Sequence, residues 1–169
     1  MKKLLLQLFL LSFTSVIFAA QSAVGFWETI NEDTHKPQSI IAIYKYQNMY
    51  YGRIIATFGT NGKIKESIYD PQGRAPGVVG NPYYCGLDII YNLSLQGKNY
   101  AGGKIMDPEQ GKIYKVLMWL EGGNLVVRGK LLMFGRNQTW IPAKDADFPK
   151  GFKKPDLTTM VPNIPKVKD

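Results

Sequence analysis

KIYKVLMWLEGGNLVVRGKL, residues 112–131, alternates polar and apolar side chains on both sides of a central Gly-Gly step. A period of two predicts two antiparallel strands, and the Gly-Gly step suits a tight hairpin because glycine adopts positive φ at no steric cost. An unpaired lysine or arginine is rarely buried, so the basic residues mark the outward face. The remaining face is predicted to point inward, and it consists of Tyr114, Val116, Met118, Leu120, Leu125, Val127 and Gly129.

The same alternation recurs along most of the chain. It predicts strands at 25–31, 39–47, 49–58, 99–107, 112–121, 124–133 and 136–141, with a weaker strand at 64–69. Gln47-Asn48 is short enough to be a second hairpin turn. Taking Lys45, Arg53 and Lys104 as outward residues predicts further inward residues, namely Ala42, Tyr44, Tyr46, Gly52, Ile54, Ala56, Ala101, Gly103 and Ile105.

Strands in hairpin order with one apolar face to bury predict an all-β fold. An antiparallel barrel of about eight strands is the most economical solution, and a two-sheet sandwich is the alternative. One segment departs from the pattern. After a Gly- and Pro-rich loop at 70–84, Leu87, Ile90, Tyr91 and Leu93 recur at helical spacing, which predicts one short helical insert.

The chain divides into three parts. Residues 1–20 have a basic start, an apolar run and a small-residue exit at Ala19 and Ala20, which predicts a signal peptide cleaved near residue 20; an uncleaved anchor is the alternative. Residues 21–141 form the barrel domain, and the Pro- and Lys-rich extension 142–169 is expected to be extended or disordered. The mature protein is therefore predicted to be periplasmic or secreted, with no stable membrane span.

The formal net charge is +8, and removal of Lys2 and Lys3 with the signal peptide leaves +6. Lysines and arginines are spaced singly along the strands, which favours solvated strand faces over a nucleic acid site. Cys85 is the only cysteine, so no intrachain disulfide can form. Burial as a small hydrophobe is the favoured interpretation of Cys85, and a free thiol or an intermolecular bridge is the alternative.

No catalytic apparatus is recognisable. His35 is the only histidine, it lies in a polar turn, and no Gly-x-Ser-x-Gly motif accompanies it. Asp70 and Asp107 each precede proline and are explained by turn initiation, and nothing supplies the dense set of ligands that a metal needs. The protein is therefore predicted to be no enzyme and to hold neither a metal nor a cofactor.

The inward face carries aromatic and flexible apolar side chains. An eight-stranded barrel can be filled by such side chains, or it can hold one small ligand, and the sequence leaves both possibilities open. If a cavity exists, its candidate lining residues are Tyr44, Tyr46, Ile54, Ile105, Tyr114, Val116, Met118, Leu120, Leu125 and Val127.

Several short motifs together resemble a known family. Gly25-x-Trp27 at the first strand is similar to the opening of lipocalins and other calycins. Tyr51-Gly52-Arg53-Ile54, Gly103-Lys104-Ile105 with Asp107-Pro108, and Gly135-Arg136 with Gln138-Thr139-Trp140 resemble the exported bacterial family named domain of unknown function 2147. The resemblance implies a lipocalin-like barrel closed by Gly25 and Trp27, with Arg136 from the last strand stacked on the indole.

Two functions follow as hypotheses. The first is an exported lipocalin-like protein that binds a small apolar or amphipathic ligand in the barrel. The second is a structural or protein-interaction module of the cell envelope with a filled barrel core and an unidentified protein partner. The family resemblance supports the fold more than either function, because one barrel shape serves many activities.

Overall fold

The computed structural model of the protein describes residues 22–131 and 134–168, and the predicted signal peptide lies outside them. The described residues include one 3-10 turn, Asp145–Asp147, and no helix long and apolar enough to cross a membrane. Their strands are β1 Gly25–Ile30, β2 Pro37–Tyr46, β3 Met49–Phe58, β4 Ile64–Ser67, β5 Asp88–Gln96, β6 Asn99–Ala101, β7 Lys104–Asp107, β8 Lys112–Glu121, β9 Asn124–Leu131 and β10 Phe134–Pro142.

The strands form one antiparallel sheet that closes on itself. Hydrogen-bonded neighbours run in the order β3, β2, β1, β10, β9 and β8; β6 and β7 then connect β8 to β5, and β5 returns to β3. Since β6 and β7 occupy one position in the ring, the barrel has eight strands. The predicted barrel is confirmed and the sandwich alternative is excluded, while β4 extends the sheet beyond β3.

Both predicted hairpin turns are present. Gln47 and Asn48 between β2 and β3 have φ of 45° and 66°, and Gly122 and Gly123 between β8 and β9 have φ of 57° and 83°. Two successive residues with positive φ are typical of the type I′ turn, whose twist matches that of the strands it joins.

The predicted helical insert is wrong, because residues 88–96 form β5. Asn92 has φ of 59°, and the pairing of β5 with β3 shifts register in this region. Ile90 and Leu93 consequently pack into the same core although they are three residues apart. A β-bulge adds one residue to a strand, so it converts the spacing of two into the spacing that a helix would show.

The base of the barrel is filled. Trp27, Met118, Leu125 and Trp140 pack together with little or no exposed surface. The indole N–H of Trp27 donates to the carbonyl of Ala23 at 2.7 Å, in a buried hydrogen bond that fixes the chain just before β1. Trp27 is therefore buried in the core at the base of the barrel.

The predicted orientation of β2 is wrong. Ile41 and Ile43 point into the barrel, whereas Ala42, Tyr44 and Tyr46 belong to a second apolar cluster on the outer face. Lys45 points inward at the base, where its amine lies 5.9 Å from the ring centroid of Tyr50 and still reaches solvent. An inward lysine at the end of a strand can keep its amine in solvent while its side chain lies on the inner face. Such a lysine therefore does not identify the outward face.

A bulge also reverses the orientation that is predicted for Ala56. The register of β2 and β3 shifts between Ile40 and Ile41, and Ala56 packs with Ile40 and Phe148 outside the barrel instead of pointing inward. The other predicted inward residue of this strand, Ile54, does lie in the barrel core.

The C-terminal extension covers this outer face. It runs as extended chain, and Met160 is buried against the cluster that contains Tyr44. The amide of Val79 donates to the carbonyl of Lys166 at 2.8 Å, and the amide of Lys168 donates to the carbonyl of Gly77 at 2.9 Å. Outward apolar residues of β2 are thus buried by the extension, not by the barrel.

A buried ion pair joins the extension to the barrel. Asp88 has no exposed surface, its carboxylate lies 2.7 Å from Nη2 of Arg53, and it accepts hydrogen bonds of 2.9 Å from the Tyr44 hydroxyl. The amide of Asn163 also donates to it, and Arg53 donates to the carbonyl of Val161. Burial, and secondarily the Asp88 charge, raises the pKa of Tyr44, so the hydroxyl stays protonated and donates.

Asp88→Asn should destabilise the protein by about 3 to 5 kcal/mol, because it leaves the mostly buried Arg53 guanidinium without its counter-charge. Denaturant unfolding followed by tryptophan fluorescence measures this change. The matched control is Asp145→Asn, which removes an exposed carboxylate paired with Lys154 and should leave unfolding unchanged. Equal midpoints for the two variants would contradict the proposed weight of the Asp88 network.

Three lysines form a row on the outer wall. Lys104 pairs with Lys115 across β7 and β8, and Lys115 pairs with Lys130 across β8 and β9. All three are exposed. Directly opposite like charges on neighbouring strands destabilise a sheet. Strand pairing therefore brings together lysines that are singly spaced in the sequence.

Lys115→Gln should raise the free energy of unfolding by about 0.2 to 1 kcal/mol at low ionic strength, because Lys115 is opposed by a lysine on each side. The gain should vanish at about 1 M salt, where the Debye length is about 3 Å. Chemical denaturation with urea, which is uncharged, measures both values. Lys98→Gln, in the turn between β5 and β6, is the control with the same change of net charge and no opposed lysine.

Candidate functional site

The open end of the barrel holds a pocket of about 890 Å³, which we call the cup. Its apolar and aromatic lining comprises Ile54, Phe58, Tyr84, Ile89, Ile105, Met106, Pro108, Tyr114, Val127 and Trp140. The polar lining comprises Thr29, Gln38, Ser39, Thr57, Gln138, Glu66, Asp107, Glu109 and Arg136. Gly129 and Gly135 complete the wall.

On β9 the inward side chains become smaller toward the mouth of the barrel, which leaves room for the cup. Along β9 the inward residues are Leu125, Val127 and Gly129 in that order. Leu125 fills the base, Val127 lines the floor of the cup, and Gly129 leaves the wall bare. Trp140 on β10 is the other large floor residue, and it is 2% exposed.

Polar side chains continue the inward face above the floor. On β1, Thr29 lies two residues beyond Trp27, and its hydroxyl is 2.7 Å from that of Ser39 on β2. On β10, Gln138 lies two residues before Trp140 and accepts a hydrogen bond from its indole N–H at 3.2 Å. The inward alternation thus passes from apolar at the base to polar at the mouth.

Glu66 is a charged group held in the wall. It is 4% exposed, and its carboxylate accepts hydrogen bonds from the amides of Gln72 and Gly73 at 2.7 and 2.6 Å and from the Thr57 hydroxyl at 2.9 Å. Burial alone would raise the pKa of Glu66, but these hydrogen bonds outweigh it and hold the pKa below its usual range. The charged form therefore stabilises the fold at neutral pH, and this contribution is lost only as the pH falls through the lowered pKa.

Tyr84 stands beside Glu66. A methyl group added at Gly73 would lie 2.9 Å from Oε1 of Glu66 and 3.0 Å from Cδ2 of Tyr84, so only glycine fits between them without movement. Burial raises the pKa of Tyr84, and the carboxylates of Glu109, Asp107 and Glu66 raise it further. The phenol remains neutral in this acidic surrounding.

The predicted cavity residues fall into three groups. Ile54, Ile105, Tyr114 and Val127 line the cup. Val116, Met118, Leu120 and Leu125 lie in or against the core that fills the barrel below it. Tyr44 and Tyr46 lie on the outer face, so their assignment to a cavity is wrong. The barrel therefore combines the two possibilities that the sequence leaves open: its base is filled by side chains, and its other end is an open cup.

The implied stacking of Arg136 on Trp27 is also wrong. Trp27 pairs with Pro142 on β10, and Arg136 lies six residues earlier, roughly 20 Å along the strand. Arg136 instead forms an ion pair with Glu32, just beyond the end of β1, and lies at the mouth of the cup. Gly25 and Trp27 are at the base and Arg136 is at the opposite end of the barrel.

Sequence reasoning missed the polar wall. Thr29 and Gln138 were detectable, because each continues the inward alternation of its strand by one step. Glu66 and Tyr84 gave no local signal, since one belongs to the short strand β4 and the other to the loop before β5. The pairing of β4 with β3 places Glu66 opposite Thr57, and the packing of the loop before β5 brings Tyr84 to the cup.

The remaining reactive residues lie outside the cup. Cys85 is buried; burial and, to a lesser degree, Glu66 raise the pKa of its thiol to about 12, so it is protonated at neutral pH. His35 is exposed in the turn between β1 and β2. Within residues 22–131 and 134–168, no group of three or more His, Cys, Asp or Glu side chains is arranged to hold a metal ion.

Two inward glycines test where the barrel is filled. A Cβ at Gly52 would lie 2.9 Å from Cδ1 of Ile43 and 3.0 Å from Cβ of Ile90, whereas a Cβ at Gly129 would meet only Cγ2 of Ile105 at 3.7 Å. Gly52→Ala should therefore destabilise the protein by about 1 to 3 kcal/mol through overpacking. Gly129→Ala should stabilise it by about 0.5 to 1 kcal/mol through loss of backbone freedom in the unfolded chain. Thermal melting of both variants measures the two changes in stability. A stabilised Gly52→Ala variant would contradict a filled base.

Comparisons with known proteins give a family match for the chain and a solved structure with a similar fold. A family described as "Uncharacterized protein conserved in bacteria (DUF2147)" matches residues 25–141. Among curated proteins, nothing matches. Among solved structures, protein HP1028 from Helicobacter pylori, described as belonging to the lipocalin family, is similar with a TM-score of 0.59 and 18% identity, over 75% of this chain and 86% of that one. That likeness shows a shared lipocalin-like fold, and the match over β1 to β10 shows that the chain belongs to the bacterial family DUF2147.

Proposed function

We propose that the protein binds a small apolar or amphipathic molecule in the cup. The observation that carries this proposal is the incomplete filling of the barrel: packed side chains end at Val127 and Trp140, and about 890 Å³ lies above them. Ligand pockets in proteins typically have volumes of about 300 to 1,000 Å³, so the cup has room for one small molecule.

The lining of the cup favours one orientation of a bound ligand. Apolar side chains such as Ile54, Val127 and Trp140 form the floor, while Gln38, Asp107 and Glu109 are among the polar lining residues. An amphipathic molecule gains most by placing its apolar part on the floor and its polar part among hydrogen-bonding groups near solvent. Thr29, Ser39 and Gln138 are available to orient it.

The proposed role is binding without chemical conversion. Glu66, the most deeply buried carboxylate of the cup, already accepts three hydrogen bonds from the chain itself. Those bonds favour its charged form and occupy its oxygens, which makes it a poor general base. The Cys85 thiol is protonated and buried, which makes it a poor nucleophile.

The proposal includes a place of action. The basic, apolar and small-residue order of residues 1–20 favours export and cleavage near residue 20, so the mature protein would act in the periplasm or outside the cell. Recovery of the mature protein from the periplasmic fraction, with an N-terminus between Ala19 and Ala23 by mass spectrometry, tests this part.

An uncharged apolar fluorescent dye should bind the wild-type protein with increased emission, and Gly129→Phe should weaken this binding at least tenfold because the ring projects into the cup. Fluorescence titration measures both affinities. Ile113→Phe is the control, since Ile113 is exposed on β8 and alternates with the inward residues Tyr114 and Val116. Absence of dye binding by the wild type would instead favour a structural or protein-interaction role in the cell envelope.

A further inference from the structure

The charges that line the cup have the opposite sign to the protein as a whole. The chain carries 21 lysines and arginines against 13 aspartates and glutamates. The cup is lined by three carboxylates, Glu66, Asp107 and Glu109, and by one guanidinium, Arg136. No lysine is among the described residues that line it. The cup is therefore an acidic site in a basic protein.

Among the lining residues that the structure describes, the one cationic side chain is already paired with a carboxylate. Arg136 forms an ion pair with Glu32, which lies beyond the end of β1 at the mouth. Its charge is consequently offset before any ligand arrives. An anionic headgroup would have to compete with Glu32 for this guanidinium and would face three further carboxylates.

The Glu66 carboxylate keeps its charge in the folded protein, and that of Asp107 is fixed by main-chain donors. Glu66 is held ionised by its three hydrogen bonds, and the Asp107 carboxylate accepts hydrogen bonds from the amides of Glu109 and Gln110 at 2.9 and 3.1 Å. Burial and then the same three carboxylates raise the pKa of the Tyr84 phenol, because they would repel a negative charge on its oxygen.

Aromatic rings accompany these carboxylates. Phe58, Tyr84, Tyr114 and Trp140 all line the cup. The face of an aromatic ring attracts an organic cation, and the attraction grows as water is removed from the contact. Carboxylates that attract a cation at long range, combined with rings that accept it at short range, form a suitable environment for an ammonium group bearing an apolar chain.

We propose that the cup selects amphipathic cations, with the apolar chain on the floor formed by Ile54, Val127 and Trp140 and the ammonium or amidinium head facing Asp107, Glu109 and Glu66. This inference rests on the proposed function and adds the charge class of the ligand. It excludes fatty acids and other anionic amphiphiles as preferred ligands, because their heads would meet the same carboxylates.

Three decyl compounds with one apolar chain and different heads test the proposal: decyltrimethylammonium, decyl glucoside and decyl sulfate. Displacement of the uncharged dye from the full mature protein is measured for each compound at concentrations below micelle formation. The cation should bind at least tenfold more tightly than the anion at low salt, with the uncharged glucoside between them. The ratio should fall as salt is added, because the Debye length shortens to about 8 Å at physiological ionic strength.

Glu109→Lys should reduce the ratio of cation to anion affinity by roughly tenfold, since it reverses one exposed charge of the cup. Glu121→Lys makes the same change of net charge at the last residue of β8, at the base end of the barrel, and should leave the ratio unchanged. Equal affinities for cation and anion in the wild type, or equal effects of the two variants, would overturn the charge preference alone. Failure of the dye and of all three decyl compounds to bind would overturn the proposed function as well.

Discussion

The carboxylate of Asp88 is fully buried, so its charge must be matched by groups that the chain itself brings to it. Arg53 is its partner in the pairing of β3 with β5, which is the seam that closes the barrel. Tyr44 comes from β2, and Asn163 comes from the C-terminal extension. One buried charge therefore ties together the seam, the neighbouring strand and the extension, and the outward apolar residues of β2 are buried as a result.

The fold is predictable from the sequence where each strand has one solvent-exposed face and one buried face. On β8 and β9, Lys115, Arg128 and Lys130 mark the solvent-exposed face correctly, and the hairpin between them follows from two glycines. On β2 both faces are buried because the extension covers the outer one, so the position of Lys45 does not indicate which face points outward. A distant segment decides that orientation, and local periodicity does not contain it.

The site was predictable to a similar degree. Inward alternation identifies Ile105, Tyr114 and Val127, yet the same alternation identifies Met118 and Leu125, which fill the base. Periodicity shows which face a residue occupies, and residue size indicates only in part whether that face is packed, because Gly52 lies in the filled base whereas Tyr114 lines the cup. On β9 alone, the decrease in size from Leu125 through Val127 to Gly129 follows the change from filled base to cup. Glu66 is beyond both signals, because its role depends on amides of the loop at Gln72 and Gly73.

The pairing of the extension with the loop at Gly77 and Val79 uses main-chain atoms on both sides: amide to carbonyl from Val79 to Lys166, and from Lys168 to Gly77. Main-chain hydrogen bonds place few demands on side-chain identity. Substitutions can therefore accumulate in such a segment while its path over the barrel is kept. The family match ends at residue 141 and the packed chain continues beyond it, so this main-chain pairing lies outside the part of the chain that defines the family.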